Sequence, residues 1–234
     1  MKALLLDLDD TLLDYSGGVD ESWAEACRTC CTPRGHDAAR LIEAVAASRR
    51  WFWDDPERHR TERVRMQEAW TKIVVHAMTR IELTDRDLAG TIAEDFARRR
   101  RERMRLFPDA LDCLHRFREA GVGLALVTNG DARQQRYKID RWALEKYFDA
   151  IVIEGEFGVG KPEAAVYRHV LDTLSVTPSD ACMVGDNLEF DVDGPQRLGV
   201  RGLWLDRDGR GLPQTTGIQP WRIIQSLTEL DGLP

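Results

Sequence analysis

The chain has 234 residues, 43% of them hydrophobic and 31% charged, enough to bury one substantial core or a core and a smaller satellite domain. Its 33 basic and 40 acidic residues give a net charge of -7, which argues against a protein that binds nucleic acid or an anionic membrane. No apolar stretch approaches the roughly 20 residues that a membrane span needs, and from the apolar strand and acidic motif near the amino terminus we expect a protein that is not secreted.

The first predicted element is a buried strand at residues 3–6, because these residues are apolar without alternation. Directly after it come Asp7, Asp9, Asp10 and Thr11. Carboxylates two residues apart repel each other and resist ionisation unless a cation or a lysine neutralises them. The motif therefore predicts positive partners elsewhere in the chain. An Asx-turn or a helix cap built on Asp9 or Asp10 is the structural alternative.

Residues 20–105 have a helical pattern without a convincing strand. Apolar residues recur at helical spacing in two stretches: Met66, Trp70, Ile73 and Ala77, then Leu88, Ile92 and Phe96. Thr84 and Asp87 predict a capping box before the second stretch. The thiols of Cys27, Cys30 and Cys31 are spaced C-x-x-C-C, but no second pair follows at zinc-finger spacing. Five cysteines without a regular framework fit reduced thiols, and we expect a cytoplasmic protein.

Six arginines occupy eight positions from Arg98 to Arg105. At the carboxyl end of a helix they complement the helix dipole, so we interpret them as a solvated helix end. The alternative is a rim that attracts an anionic substrate.

From Phe107 onward, predicted helices and strands alternate. Pro108 and Asp109 begin a helix that Gly121 ends. Three later helices are predicted: one that ends near Leu144, one over residues 162–174 and one that ends at Leu198. The predicted strands are residues 124–127, 150–153, 181–184 and 202–205. A loop at 206–220, a short strand near Ile223 and a helix from about Ser226 complete the chain. This alternation predicts an α/β protein with a parallel sheet that includes the first strand.

Polar residues follow three of these strands. Thr128, Asn129 and Gly130 follow the strand at 124–127, and a glycine-bearing loop that leads to Lys161 follows the strand at 150–153. Asp186 and Asp191 follow the strand at 181–184. The carboxyl ends of parallel strands share one edge, where α/β proteins bind ligands. Individually, these residues could be a helix cap, a surface lysine and a turn residue.

The ordered motifs D-x-D-x-T at residues 7–11, T-N-G at 128–130, G-K-P at 160–162 and G-D-x-x-x-x-D at 185–191 resemble those of the haloacid dehalogenase superfamily. The resemblance implies a doubly wound, Rossmann-like core of residues 1–15 and 106–234, with an all-helical C1-type cap domain of residues 16–105 that opens and closes over substrate. The stretch around T-N-G-D-x-x-x-Q-x-x-K-I is similar to a subgroup that contains N-acylneuraminate-9-phosphatase and pyrimidine nucleotidases.

The resemblance also implies phosphoryl transfer through an aspartyl-phosphate. Asp7 would attack phosphorus, and Asp9 would protonate the leaving alkoxide and then deprotonate water. Lys161 would offset the negative charge between Asp7 and the transferring group.

The remaining motif residues imply a magnesium site and a phosphate cradle. The carboxylates of Asp7 and Asp186, with the carbonyl oxygen of Asp9, would bind Mg²⁺. The Thr128 hydroxyl and the amides of Asn129 and Gly130 would hold phosphate oxygens. Thr11 and Asp191 would help to position these groups without binding the ion or the phosphate directly.

The expected partner is a small phosphorylated metabolite, a sugar phosphate or a nucleoside monophosphate, and the protein would be a monomer or a homodimer. Three alternatives stay open at this point: a phosphosugar mutase, a 2-haloacid dehalogenase and a catalytically inactive binding module. A dehalogenase is disfavoured because halide leaves without protonation and needs no carboxylate at Asp9. A P-loop at residues 155–161 is disfavoured because Pro162 stands where a hydroxyl is required.

Overall fold

The computed structural model describes residues 1–232, which divide into two compact units. One unit combines Met1–Asp14 with the chain from Arg105 onward, and the other is Tyr15–Met104. The second unit is therefore a single continuous insertion in the sequence of the first.

The strands all belong to the first unit. In chain order they are β1 Ala3–Leu6, β2 Leu13–Asp14, β3 Arg105–Leu106, β4 Gly123–Thr128, β5 Ala150–Ile153, β6 Ala181–Gly185, β7 Arg201–Leu205 and β8 Arg222–Ile224. Six of them form one sheet in the order β5-β4-β1-β6-β7-β8, and every neighbouring pair is parallel. The α/β fold with a parallel sheet is confirmed.

The central strand β1 has no solvent-exposed residue. Its Leu4 lies opposite Leu124 on one side and Cys182 on the other. Helices cover both faces of such a sheet, which explains why the strand is apolar at every position.

The antiparallel pair β2 and β3 was not predicted. Leu13 lies opposite Leu106, and Asp14 lies opposite Arg105. Two-residue strands are too short to give a hydrophobic period, so the sequence carries no signal for them.

The second unit is helical, as predicted. Its helices are α1 Val19–Cys31, α2 Ala38–Trp53, α3 Pro56–Glu62, α4 Met66–Arg80 and α5 Leu88–Arg103. The two predicted apolar stripes pack into one core of this unit, with Met66 only partly buried. The three clustered cysteines are free thiols in that core, and burial raises the pKa of Cys27 to about 12, which suits a packing role.

The predicted capping box before α5 is wrong. Asp87 stands at the N-cap position, but its side chain accepts no capping hydrogen bond. Asp85 instead accepts the Asp87 N–H at 3.3 Å and pairs with Arg34 and His36.

The interpretation of the arginine run as a solvated helix end also needs correction. Arg99 and Arg103 both pair with Glu25 on α1, at 2.5 and 2.7 Å. Arg100 is buried, donates to the Gly17 carbonyl and lies over the Tyr15 ring. Within this unit, the run therefore ties α5 to α1.

The helices of the first unit are α6 Ala110–Glu119, α7 Ala132–Arg141, α8 Glu154–Phe157, α9 Ala164–Leu174 and α10 Gly194–Gln196. Two sequence expectations change here. The short helix α8 lies in the predicted loop after β5, and the helix predicted to reach Leu198 is a π-helical segment, Leu188–Asp193, followed by α10. No helix within residues 1–232 has both the length and the apolarity that crossing a membrane demands.

Candidate active site

Lys161 lies between two of the predicted carboxylates, those of Asp7 and Asp191. Its ammonium lies 2.7 Å from Oδ1 of Asp7, which follows β1, and 2.6 Å from Oδ1 of Asp191, which lies beyond the end of β6. Lys161 is only 2% exposed. Although burial disfavours its charged form, the two carboxylates raise the pKa of Lys161 above its usual value.

Asn129 fixes the position of Lys161 through the backbone. Its Oδ1 accepts the Lys161 N–H at 2.7 Å, and its Nδ2 donates to the Lys161 carbonyl at 2.8 Å. Because Asn129 directly follows β4, these two hydrogen bonds attach the loop that carries Lys161 to the sheet. The side chain of Asn129 thus positions Lys161.

Three carboxylates form an acidic cluster: oxygens of Asp7, Asp186 and Asp191 all lie within 4.8 Å of one another. Burial raises the pKa of Asp7 to about 7, against the opposing effect of Lys161. Asp186 is solvent-exposed as a residue, but its carboxylate lies among protein groups that desolvate it. This desolvation and the repulsion by Asp7 and Asp191 raise the pKa of Asp186 to about 8. Lys161 alone does not neutralise this cluster.

The donor set of the cluster fits a hard divalent cation. Oxygen ligands suit Mg²⁺, and the Asp186 carboxylate has no hydrogen bond or ion pair to any group within residues 1–232. Asp191 differs, because Lys161 contacts its Oδ1 while its Oδ2 accepts the Asn187 N–H at 3.0 Å. Its oxygens are engaged by the protein, which suits a supporting role.

Gly185 leaves the space that Asp191 occupies. A Cβ at position 185 would lie 2.2 Å from the carboxyl carbon of Asp191. We expect Gly185→Ala to destabilise the protein by about 1–3 kcal/mol, because Asp191 must move away from Lys161 and the Asn187 N–H. Chemical denaturation measures this loss. Gly90→Ala is the control: its Cβ meets no atom within 4 Å, so a similar loss there would show a general cost of the added methyl group.

The predicted phosphate-binding residues are partly engaged by the protein. The Gly130 N–H donates to the buried Glu154 carboxylate at 2.8 Å, which leaves that amide occupied. Thr128 Oγ1 accepts a hydrogen bond from Gln135 Nε2 at 2.6 Å. The Thr128 hydroxyl donates only a long hydrogen bond, to the Asn129 carbonyl at 3.5 Å, which an incoming acceptor at a shorter distance can replace.

Asp9 has a partner that the sequence analysis missed. Lys138 Nζ donates to both Asp9 oxygens, at 2.8 and 2.7 Å, and Gln135 Nε2 donates to Oδ2 at 3.0 Å. Both partners lie on α7, three residues apart, and both are buried. The spacing Q-x-x-K was visible, but on a polar helix it resembles an ordinary solvated face.

Thr11 lies in the interior with its hydroxyl oxygen unpartnered among residues 1–232. Its carbonyl accepts a hydrogen bond from Arg207 at 2.7 Å, and Arg207 also pairs with Asp109 at the start of α6. Thr11 thus connects the first motif to a structural ion pair.

The arrangement matches known proteins in sequence and fold. A family model for haloacid dehalogenase-like hydrolases matches residues 1–199. The chain is 34% identical to phosphoserine phosphatase of Thermus thermophilus over 88% of this chain and 89% of that protein. It is 29% identical to human N-acylneuraminate-9-phosphatase, over 100% of this chain and 93% of that protein. Pyrimidine 5'-nucleotidase YjjG of Escherichia coli is 32% identical over 62% and 63% of the two chains.

Solved structures share the fold over nearly the whole chain. A haloacid dehalogenase-family phosphatase from Thermococcus onnurineus has a TM-score of 0.71 at 23% identity and covers 98% of this chain and 96% of its own. A 2-haloacid dehalogenase from Pseudomonas syringae has a TM-score of 0.67 at 25% identity, with the same coverage. With the four motifs meeting at one sheet edge, these matches show that the chain is a haloacid dehalogenase-like hydrolase.

Proposed function

We propose that the protein is a Mg²⁺-dependent phosphatase that hydrolyses a small phosphomonoester through an aspartyl-phosphate on Asp7. The observation that supports this most strongly is the buried Lys161 ammonium, held between Asp7 and Asp191 at the edge of the sheet. A nucleophilic carboxylate needs a nearby positive charge to approach an anionic phosphoryl group. Thr128 adds a hydroxyl that can donate to a phosphoryl oxygen.

In the proposed reaction, an Asp7 oxygen forms a bond to phosphorus as the bond to the leaving oxygen breaks. Asp9 gives its proton to that oxygen and then takes a proton from the water that cleaves the acyl phosphate, which restores Asp7. Lys161 stays protonated throughout and balances the charge of Asp7 and of the transferring group.

Asp7, Asp186 and the carbonyl oxygen of Asp9 would bind the magnesium ion. When bound, the ion supplies positive charge to the acidic cluster and to the phosphoryl oxygens. Asp191 and Thr11 would help to hold these residues in position without binding the ion directly.

Release of inorganic phosphate from 4-nitrophenyl phosphate in the presence of Mg²⁺ tests the proposal. We expect turnover that chelation by EDTA abolishes and that added Mg²⁺ restores. Conversion of a sugar phosphate into an isomer without free phosphate would instead support a phosphosugar mutase. No phosphate release from any ester of a broad panel would contradict a phosphatase.

We propose that the substrate is a sugar phosphate, a nucleoside monophosphate or another small phosphorylated metabolite, such as phosphoserine. The relatives named above are phosphatases or nucleotidases of such compounds. We further propose a cytoplasmic monomer or homodimer, in which the helical segment predicted at residues 16–105 is the cap domain that selects the substrate. The panel of esters, assayed with and without Mg²⁺, identifies the class.

Magnesium binding should depend on pH. The pKa values of about 7 for Asp7 and about 8 for Asp186 mean that protons compete with the cation in the metal-free protein. Because Mg²⁺ requires the ionised carboxylates, its affinity should rise from pH 6 to pH 8.5. Isothermal titration calorimetry with MgCl₂ at both pH values measures this, and equal affinities would contradict it. Titrations with Ca²⁺ repeat the measurement with a second cation that prefers oxygen ligands.

A further inference from the structure

We propose that Lys138 is a positioning residue that acts through Asp9, holding its carboxylate in place by means of a closed hydrogen-bond network on α7. This inference rests on the proposed phosphatase function. It assigns a role to a lysine that lies outside the four motifs.

Lys138 has acceptors for its three ammonium hydrogens. Asp9 Oδ1 and Oδ2 lie at 2.8 and 2.7 Å, and Gln135 Oε1 lies at 2.7 Å. A two-oxygen contact restricts rotation of the carboxylate about its own axis, which a single hydrogen bond does not do. The Asp9 side chain is still 24% exposed, so its site is open to a reacting group.

Gln135 closes the network and has a defined amide orientation. A lysine ammonium can only donate, so the atom of Gln135 that faces Lys138 must be Oε1. The amide nitrogen then donates to Asp9 Oδ2 and Thr128 Oγ1, at 3.0 and 2.6 Å. The same network therefore positions the proposed proton-transfer group and one proposed phosphate donor.

The burial of these polar groups points to more than stability. Lys138 is 3% exposed and Gln135 is 2% exposed. Replacing a buried ion pair by apolar residues is often neutral or stabilising, so a folded core does not require this pair. Holding a proton-transfer group within reach of the leaving oxygen does require it.

Two matched esters test the role of Lys138. Phenolate is a poorer leaving group than 4-nitrophenolate and gains more from protonation. We expect Lys138→Met to lower kcat/KM about 10²-fold on phenyl phosphate and about 10-fold or less on 4-nitrophenyl phosphate. The exposed Lys146→Met is the matched control and should behave as the wild type.

The variant Asp9→Asn separates positioning from a merely structural role. If Lys138 acts through Asp9, adding Lys138→Met to Asp9→Asn should change kcat/KM by no more than about twofold. Equal losses on both esters, a further large loss in the double variant, or a higher KM with unchanged kcat would overturn the proposal.

Lys138→Arg covers the case in which Lys138→Met does not fold. It keeps the charge but changes the position of the donors, so we expect a smaller loss that is still greater on phenyl phosphate; a loss equal on both esters would overturn the proposal. Asp7→Asn, assayed alongside, distinguishes the two levels of inference. If it abolishes turnover while both Lys138 variants behave as Lys146→Met, the phosphatase function stands and the role of Lys138 fails. If it retains turnover, the aspartyl-phosphate on Asp7 fails, and the proton-transfer role of Asp9 on which the role of Lys138 depends fails with it.

Discussion

Asp7→Asn should abolish phosphatase turnover while leaving the protein folded. An amide oxygen is a far weaker nucleophile than a carboxylate, so we expect kcat to fall about 10⁴- to 10⁶-fold. The substitution conserves volume, and the pair between Lys161 and Asp191 remains in place. Steady-state assays on 4-nitrophenyl phosphate measure the loss.

Stability measurements distinguish loss of the nucleophile from loss of the fold. The pKa of Asp7 is raised from 3.8 to about 7, so its cost to the metal-free folded state grows above pH 3.8 and is fully present above about pH 7. Asp7→Asn removes that ionisation, and the variant should be at least as stable as the metal-free wild type at pH 8. Asp208→Asn, at an exposed aspartate, is the control and should keep full activity. Wild-type turnover by Asp7→Asn would exclude Asp7 as the nucleophile.

The core strands and most motif positions could be predicted because their signals are local. A strand buried on both faces is apolar at every position, and β1 and β6 have that pattern. The polar residues that follow such strands must meet at one sheet edge, which places Asp7 near Asp186 without knowledge of the loops. The cation needed by the first motif was also predicted, and Lys161 lies beside Asp7.

What the sequence did not reveal depends on contacts between distant segments. Lys138 belongs to the stretch that resembles the phosphatase subgroup, but its partner is not visible in the sequence, because Asp9 lies 129 positions away and only the fold brings the two together. The arginine run was misinterpreted for the same reason, because Glu25 on another helix supplies its partner charge. The amide of Gly130 seemed available until the structure placed Glu154 against it.

Lys161→Met should cost both stability and activity, because it leaves two buried carboxylates without their shared cation. Asp7 and Asp191 are 7% and 1% exposed, and each contacts the ammonium directly. Removing one partner of a buried ion pair typically costs about 3–5 kcal/mol, so we expect a loss of that size in the free energy of unfolding at pH 8. Turnover should fall about 10²- to 10³-fold or more, as for loss of a donor to a developing negative charge.

The pH dependence of this loss identifies its electrostatic origin. Without Lys161, the influence that lowers the pKa of Asp7 disappears, and burial then raises this pKa further above its ordinary value. A carboxyl whose folded pKa is raised destabilises the protein once the pH exceeds its unfolded pKa, and the cost grows until the pH reaches the folded pKa. The stability difference between Lys161→Met and the wild type should therefore shrink between pH 8 and pH 5, where Asp7 holds a proton. Urea unfolding at both pH values measures this difference, with Lys146→Met as the matched substitution. A deficit that is the same at both pH values would indicate lost packing, because the volume left by a side chain does not titrate.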